Sequence, residues 1–175
     1  MKFDYVTLYN KNAAFYHAHP KAKRALKLSN VLLSGFFVVS YPLLLLFILS
    51  HATNHDGANE IMSILFPPAI ALLVVSVLRD LIYRPRPYAN EGAGIEPLIQ
   101  KRSADYHSFP SRHLTCAAVI AMVYLPFYPF VGGFLLFASV VLGYIRFALG
   151  LHYPSDLLAG EGMGILFGSI CFFFL

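Results

Sequence analysis

Apolar residues along this 175-residue chain come in long blocks rather than alternating with polar ones. Five blocks stand out, at 29–50, 60–78, 111–127, 131–149 and 154–175. At about 1.5 Å of rise per residue, a helix of this length crosses most or all of a roughly 30 Å hydrocarbon layer. Strands are a poor alternative, because lipid offers no partner to an open sheet edge and the runs are near-continuous. The pattern predicts an all-α polytopic bundle of about five transmembrane helices over 29–175, preceded by a basic interfacial segment over 1–28. Pro42 and the pair Pro67-Pro68 fall inside the first two spans, where kinks are expected. Between the spans the chain predicts a short polar hairpin (51–59), a long polar loop (79–110) and a tight turn holding Pro126 and Pro129.

Composition supports the membrane reading. Hydrophobic residues make up 58% of the chain and charged ones 13%, against roughly 25% charged in a soluble domain. Cys116 and Cys171 both lie in apolar runs, which predicts two buried free thiols rather than a disulfide framework. No short apolar core follows a basic start, so no cleavable signal peptide is expected.

Charge is distributed unevenly. Formal net charge is +4, and six of the 13 basic residues precede residue 28: Lys2, Lys11, Lys21, Lys23, Arg24 and Lys27. No nucleic-acid-binding motif accompanies them, and the segment runs straight into a span, so the expected partner is anionic lipid headgroup rather than nucleic acid. Phe3, Tyr5, Tyr9, Phe15 and Tyr16 among these lysines suit a helix lying in the headgroup layer, the alternative being a frayed tail. Five spans place residues 1–28, 79–110 and 146–153 on one face, and with them every Lys and Arg but Arg112, which lies at the start of the adjoining span on the same side. The positive-inside tendency puts that face in the cytoplasm.

Three segments carry chemistry on this face. LRDLIYRPRPY (78–88) holds Arg79, Arg84 and Arg86, HSFPSRH (107–113) holds two histidines, and YIRFALGLHYPSD (144–156) holds Arg146, His152 and Asp156. Converging arginines repel one another unless an anion sits between them, and guanidinium forks bind phosphate in bidentate fashion. Taken singly, each arginine could merely orient the chain or snorkel to the interface. Helix starts add to the anion site. Ser108 is expected to cap a helix with Pro110 in its first turn, leaving the N–H groups of Ser111, Arg112 and His113 to face an anion. Pro154 marks a second start, with Asp156 in the first turn. A turn there would let the Asp156 carboxylate accept from one imidazole nitrogen of His152, making the other a nucleophile, with His113 free to protonate a leaving oxygen.

In these three segments the chain resembles the type 2 phosphatidic acid phosphatase family, which shares its site with vanadium haloperoxidases. Arg79-x6-Arg86-Pro87, Pro110-Ser111-Arg112-His113 and Arg146-x5-His152-x3-Asp156 follow its K-x6-R-P, P-S-G-H and S-R-x5-H-x3-D motifs in order. The resemblance implies His152 as nucleophile through a phosphohistidine, Asp156 as its partner and His113 as general acid. It implies Arg79, Arg86, Arg146 and Ser111 as phosphate ligands, with no metal and no cofactor required. Arg stands for Lys at 79, Arg112 for Gly and Ile145 for Ser. Arg112 makes a left-handed backbone costly there and offers a diphosphate one more contact. The family commonly has six spans, one more than counted here, and usually works on the outer face.

The expected activity is therefore hydrolysis of a lipid phosphate: an isoprenyl diphosphate, phosphatidylglycerophosphate or phosphatidate. A haloperoxidase and a non-catalytic lipid-binding or transport protein are the rivals. In the last span Gly160, Gly162, Gly164 and Gly168 predict close helix packing, and Glu161 a helix-to-helix hydrogen bond.

Overall fold

The computed structural model describes residues 5–51, 55–90, 95–99 and 106–175. These form six α-helices: α1 (Tyr5–Ala18), α2 (Pro20–His51), α3 (His55–Leu81), α4 (Arg112–Tyr124), α5 (Pro129–Ala148) and α6 (Pro154–Gly168). One 3-10 turn spans Pro87–Ala89 and another, Ser169–Phe173, extends α6. Among the described residues there is no strand, only an isolated bridge between Arg84 and His107.

Four helices are long and apolar enough to cross a membrane: Pro20–Ser50, Gly57–Leu81, Pro129–Ala148 and Pro154–Phe173. The predicted third span is shorter than expected. α4 has 13 residues, about 20 Å of helix. It is nevertheless the centre of the bundle, packed against α3, α5 and α6. Leu114, Ala117, Val119, Ile120, Ala121 and Val123 of α4 bury against Leu135, Ala138 and Leu142 of α5 and against Ile64 and Ala71 of α3. A helix sealed by its neighbours does not have to match the bilayer thickness itself. The outer helices show the opposite pattern: Leu32, Val38, Leu46, Leu73, Phe137 and Leu166 all point outward. In water such a surface would be a liability, whereas hydrocarbon covers it without penalty.

Two other boundaries differ from expectation. α2 begins at Pro20, so the division at residue 28 falls inside a continuous helix. Lysine and arginine are good helix formers, and their stems reach the headgroups from a helix end. The expected polar hairpin at 51–59 is shorter, because α3 starts at His55; residues 52–54 lie outside the described part.

The internal prolines are accommodated within continuous helices. Pro68 has no N–H to give the Ile64 carbonyl one turn earlier. Tyr41 of α2 supplies the missing donor, its hydroxyl donating to that carbonyl at 3.1 Å.

α4 and α6 approach most closely along a strip of glycines. A Cβ at Gly160 would lie 2.6 Å from the Ser111 carbonyl, one at Gly164 2.7 Å from the Thr115 carbonyl, and one at Gly168 would meet Met122. Gly162 is no part of this strip; space around it is open. The strip repeats every four residues and so stays on one helix face, whereas a step of two turns away. Glu161 makes the expected interhelical bond, accepting from Ser139 Oγ of α5 at 2.5 Å. Both cysteines are free thiols, Cys171 fully buried.

α1 is a docked helix rather than a frayed tail. Tyr9 donates to the Glu96 carbonyl at 2.7 Å and Asn12 to the Ala148 carbonyl at 3.2 Å. Tyr9 and Ala13 share a second buried cluster with Ile145, Ala148, Leu149 and Leu151. α1 therefore braces the α5–α6 connection, on the same end of the bundle as the basic start of α2.

Candidate active site

The spacing from Arg146 to His152 follows from how α5 ends. The Leu151 N–H donates to the Arg146 carbonyl at 3.1 Å and the Gly150 N–H to the Phe147 carbonyl at 2.9 Å. These two bonds form a Schellman motif, which requires a left-handed residue just past the helix. Gly150 supplies it with φ +75°. The chain thus reverses within four residues, and His152 comes back beside Arg146. α6 then starts with Tyr153 as N-cap and Pro154 in the first turn. Asp156 is the third helical residue, and its Oδ2 accepts from the Tyr153 N–H at 3.0 Å.

The second motif folds differently from expectation. Ser111, not Ser108, is the N-cap of α4. The Phe109–Pro110 peptide is cis. The Ser111 N–H is not directed at an anion; it donates to the Asp156 carbonyl at 3.0 Å and ties the starts of α4 and α6 together. Ser111 Oγ is buried without a hydrogen-bond partner. The first-turn N–H groups of Arg112 and His113 have no acceptor within their own helix.

Freed from capping, Ser108 serves the nucleophile segment twice. Its hydroxyl donates to Asp156 Oδ2 at 2.5 Å, and its carbonyl stands 3.0 Å from His152 Nδ1. His152 Nδ1 is 3.7 Å from Asp156 Oδ2, too far for the expected direct hydrogen bond. Asp156 therefore orients the imidazole chiefly through Ser108. A carbonyl only accepts, so Nδ1 carries the hydrogen and Nε2 keeps its lone pair. Asp156 also receives Arg84 Nη1 at 2.7 Å, and the same nitrogen donates to Ser155 Oγ at 2.9 Å.

Arg86, Arg146 and His113 line one chamber of about 400 Å³, together with Asn30, Ser34 and Leu151. His152, next to Leu151 in the chain, is buried, 1% exposed. Burial lowers its imidazole pKa to about 4; Arg86 and Arg146 push the same way, while Asp156 opposes them. Such an imidazole is neutral at ordinary pH. The charges of Arg146, Arg86 and Arg79 and the ring of His152 all act on His113. The three motifs thus converge on one volume. Arg146 donates to Asn30 Oδ1 at 3.3 Å, while its buried Nε has no partner. Arg79 is buried at the end of α3 and donates to the Pro110 carbonyl at 2.9 Å, fixing the entry to α4. Arg112 stands apart from the other arginines: it lines a neighbouring groove of about 180 Å³ rather than the chamber.

Asn30 and Gly150 are not among the residues the sequence points to, and Arg84 and Ser108 take roles other than the expected anion ligand and helix cap. A glycine just past a helix that ends in an arginine was a readable signal for the turn. Arg84 was visible as a cation but not as the partner of Asp156, 72 residues away.

The chain is similar to known proteins over most of its length. The PAP2 superfamily model matches residues 60–175. The chain is 30% identical over 145 residues to the undecaprenyl-diphosphatase BcrC of Bacillus subtilis (strain 168), covering 82% of this chain and 72% of that protein. Its fold is similar to that of LpxE from Aquifex aeolicus, with a TM-score of 0.71, 22% identity and coverage of 95% of this chain and 93% of that one. It is also similar to a PAP2-type phosphatidylglycerolphosphate phosphatase from Bacillus subtilis, with a TM-score of 0.56, 25% identity and coverage of 97% and 93%. With its three motifs gathered at one end of a helical membrane bundle, the chain belongs to the PAP2 superfamily and is a multi-pass membrane enzyme of the lipid phosphate phosphatase class.

Proposed function

We propose that the chain is a metal-independent phosphatase of a phosphorylated membrane lipid, acting through a phosphohistidine on His152. The observation that carries this reading is the 3.0 Å contact of His152 Nδ1 with the Ser108 carbonyl, which leaves Nε2 its lone pair in a residue whose chain neighbour Leu151 lines the arginine chamber. Nε2 attacks phosphorus as the bond to the leaving oxygen breaks, and His113 gives that oxygen a proton. Water then cleaves the N–P bond, with His113 taking the proton, and inorganic phosphate leaves. Arg86 and Arg146 hold the equatorial oxygens, where charge gathers in the transition state. Arg79, from the end of α3, and Ser111, from the start of α4, complete the cradle.

An isoprenyl diphosphate is the favoured substrate, on the likeness to the undecaprenyl-diphosphatase; phosphatidylglycerophosphate and phosphatidate are the alternatives. Purified protein incubated with farnesyl diphosphate and with each alternative lipid is expected to release inorganic phosphate. His152→Ala should abolish release while the variant still inserts and purifies as the parent does. Release that survives His152→Ala refutes the phosphohistidine route. Lipid binding without any release would instead mark a docking protein.

A further inference from the structure

A second, lateral groove adjoins the chamber. The groove of about 180 Å³ lies between α2, α4 and α5, and its walls include Phe37, Val38, Ala117, Ile120 and Leu142. Chamber and groove share two residues, Ser34 and His113. Polar atoms are concentrated at this junction. Ser34 Oγ is buried there without a hydrogen-bond partner. Arg112 lines the groove beside His113 and has no hydrogen bond or ion pair to the described residues.

Arg112 is exposed at the start of α4, where the groove opens, so its charge is available to an anion that enters there. The position of the anion follows from the order of the reaction centre, and this step rests on the phosphatase reading above. His152 attacks from the chamber side, and His113, at the junction, faces the leaving oxygen. Whatever follows that oxygen in the substrate lies on the groove side. In a monoester it is a methylene. In a diphosphate it is the inner phosphorus, whose two non-bridging oxygens share one negative charge.

We propose that Arg112 and Ser34 form an inner-phosphate subsite, which makes the enzyme a lipid diphosphatase in preference to a lipid monoesterase. The attack forms the Nε2–P bond and breaks the bridging O–P bond, whose electron pair stays on the inner phosphate. Arg112 neutralises that charge, and the lipid monophosphate remains with its tail in the groove. An alkoxide leaving group has no such charge to share and depends on the proton from His113. His113 thus protonates either leaving oxygen but matters most for the alkoxide, whereas Arg112 serves the diphosphate alone.

The test compares farnesyl diphosphate with farnesyl monophosphate, each in the same detergent micelles, for the parent, Arg112→Gln, Arg112→Lys and His113→Gln. A charge-assisted contact predicts that Arg112→Gln lowers the diphosphate-to-monophosphate ratio of kcat/KM about 10- to 100-fold. Arg112→Lys should restore most of the ratio, and His113→Gln should raise it. A ratio that Arg112→Gln leaves unchanged overturns the subsite, as does a parent enzyme that cleaves only the monoester. Loss of both activities in His152→Ala alongside such a result would leave the phosphatase reading standing.

Discussion

Arg84 and Asp156 meet across 72 residues of chain, with guanidinium nitrogen and carboxylate oxygen 2.7 Å apart. The Arg84 guanidinium also lies 4.4 Å above the Tyr153 ring. The pair joins the loop after α3 to the first turn of α6. The same carboxylate receives Ser108 and the Tyr153 N–H, so one buried acid collects the parts that orient His152. Removing Arg84 leaves Asp156 with one charged partner fewer. The Arg84 side chain is 34% exposed, so water compensates in part. Arg84→Ala should lower kcat by roughly tenfold, as expected for a lost charge-assisted contact, and Arg84→Lys should recover part of it. Steady-state phosphate release checks this. An unaltered kcat would mean that the pair does not serve the nucleophile.

The pH profile follows from the state of His152. Its folded pKa is depressed to about 4, and the neutral ring is the nucleophile, so activity should fall as pH drops through that value rather than through 6.5. Arg86 and Arg146 both contribute to the depression. Arg146→Gln should therefore move the acid limb of kcat/KM towards 6.5, whatever it does to the plateau. The same group affects stability. Between about pH 4 and 6.5 the unfolded imidazole binds a proton that the folded one refuses, so its stabilising contribution, complete above 6.5, is lost as pH falls through that window.

Gly150 is required by backbone and by space. At φ +75° an added Cβ is strained, and it would stand 2.7 Å from the Tyr9 hydroxyl of α1. Gly150→Ala should cost about 1–2 kcal/mol from the left-handed conformation alone. Because the turn carries His152, kcat should fall together with the thermal midpoint. Tyr9→Phe removes the hydroxyl, and combining it with Gly150→Ala should recover part of the loss in a double-mutant comparison.

Close packing of α4 on α6 predicts a second stability effect. Gly164→Val inserts bulk where the Thr115 carbonyl and the Ala118 side chain stand, and overpacking of this kind costs about 1–3 kcal/mol. Gly162→Val meets open space and should be near neutral. Thermal unfolding in detergent compares the two.

Topology is open to a direct measurement. Asn90 lies in the loop at the site's end, and Phe130, 96% exposed, begins α5 at the other end. In a background with Cys116 and Cys171 replaced, positive-inside orientation predicts that Phe130→Cys reacts with an impermeant maleimide in intact cells. Asn90→Cys should react only after lysis. The reverse pattern puts the chamber outside.

The sequence by itself determined the class of protein and most of its helices. Apolar blocks of span length leave the backbone few alternatives to helix in a medium without water. Motif spacing placed Arg146, His152 and Asp156 around one helix-to-helix turn, because the contacts within that turn are local. The partners of those residues were decided only by the tertiary structure. Ser108 looked like a helix cap, since capping is a local pattern; the packing of α4 against α6 turned its hydroxyl to Asp156 and its carbonyl to His152. Arg84 was one of three nearby arginines until the fold brought Asp156 within 2.7 Å. Likewise α4 read as an ordinary span, and only the presence of helices around it explains how 13 residues suffice. Local rules fix helix starts and turns, whereas contacts between distant segments depend on how the whole bundle packs.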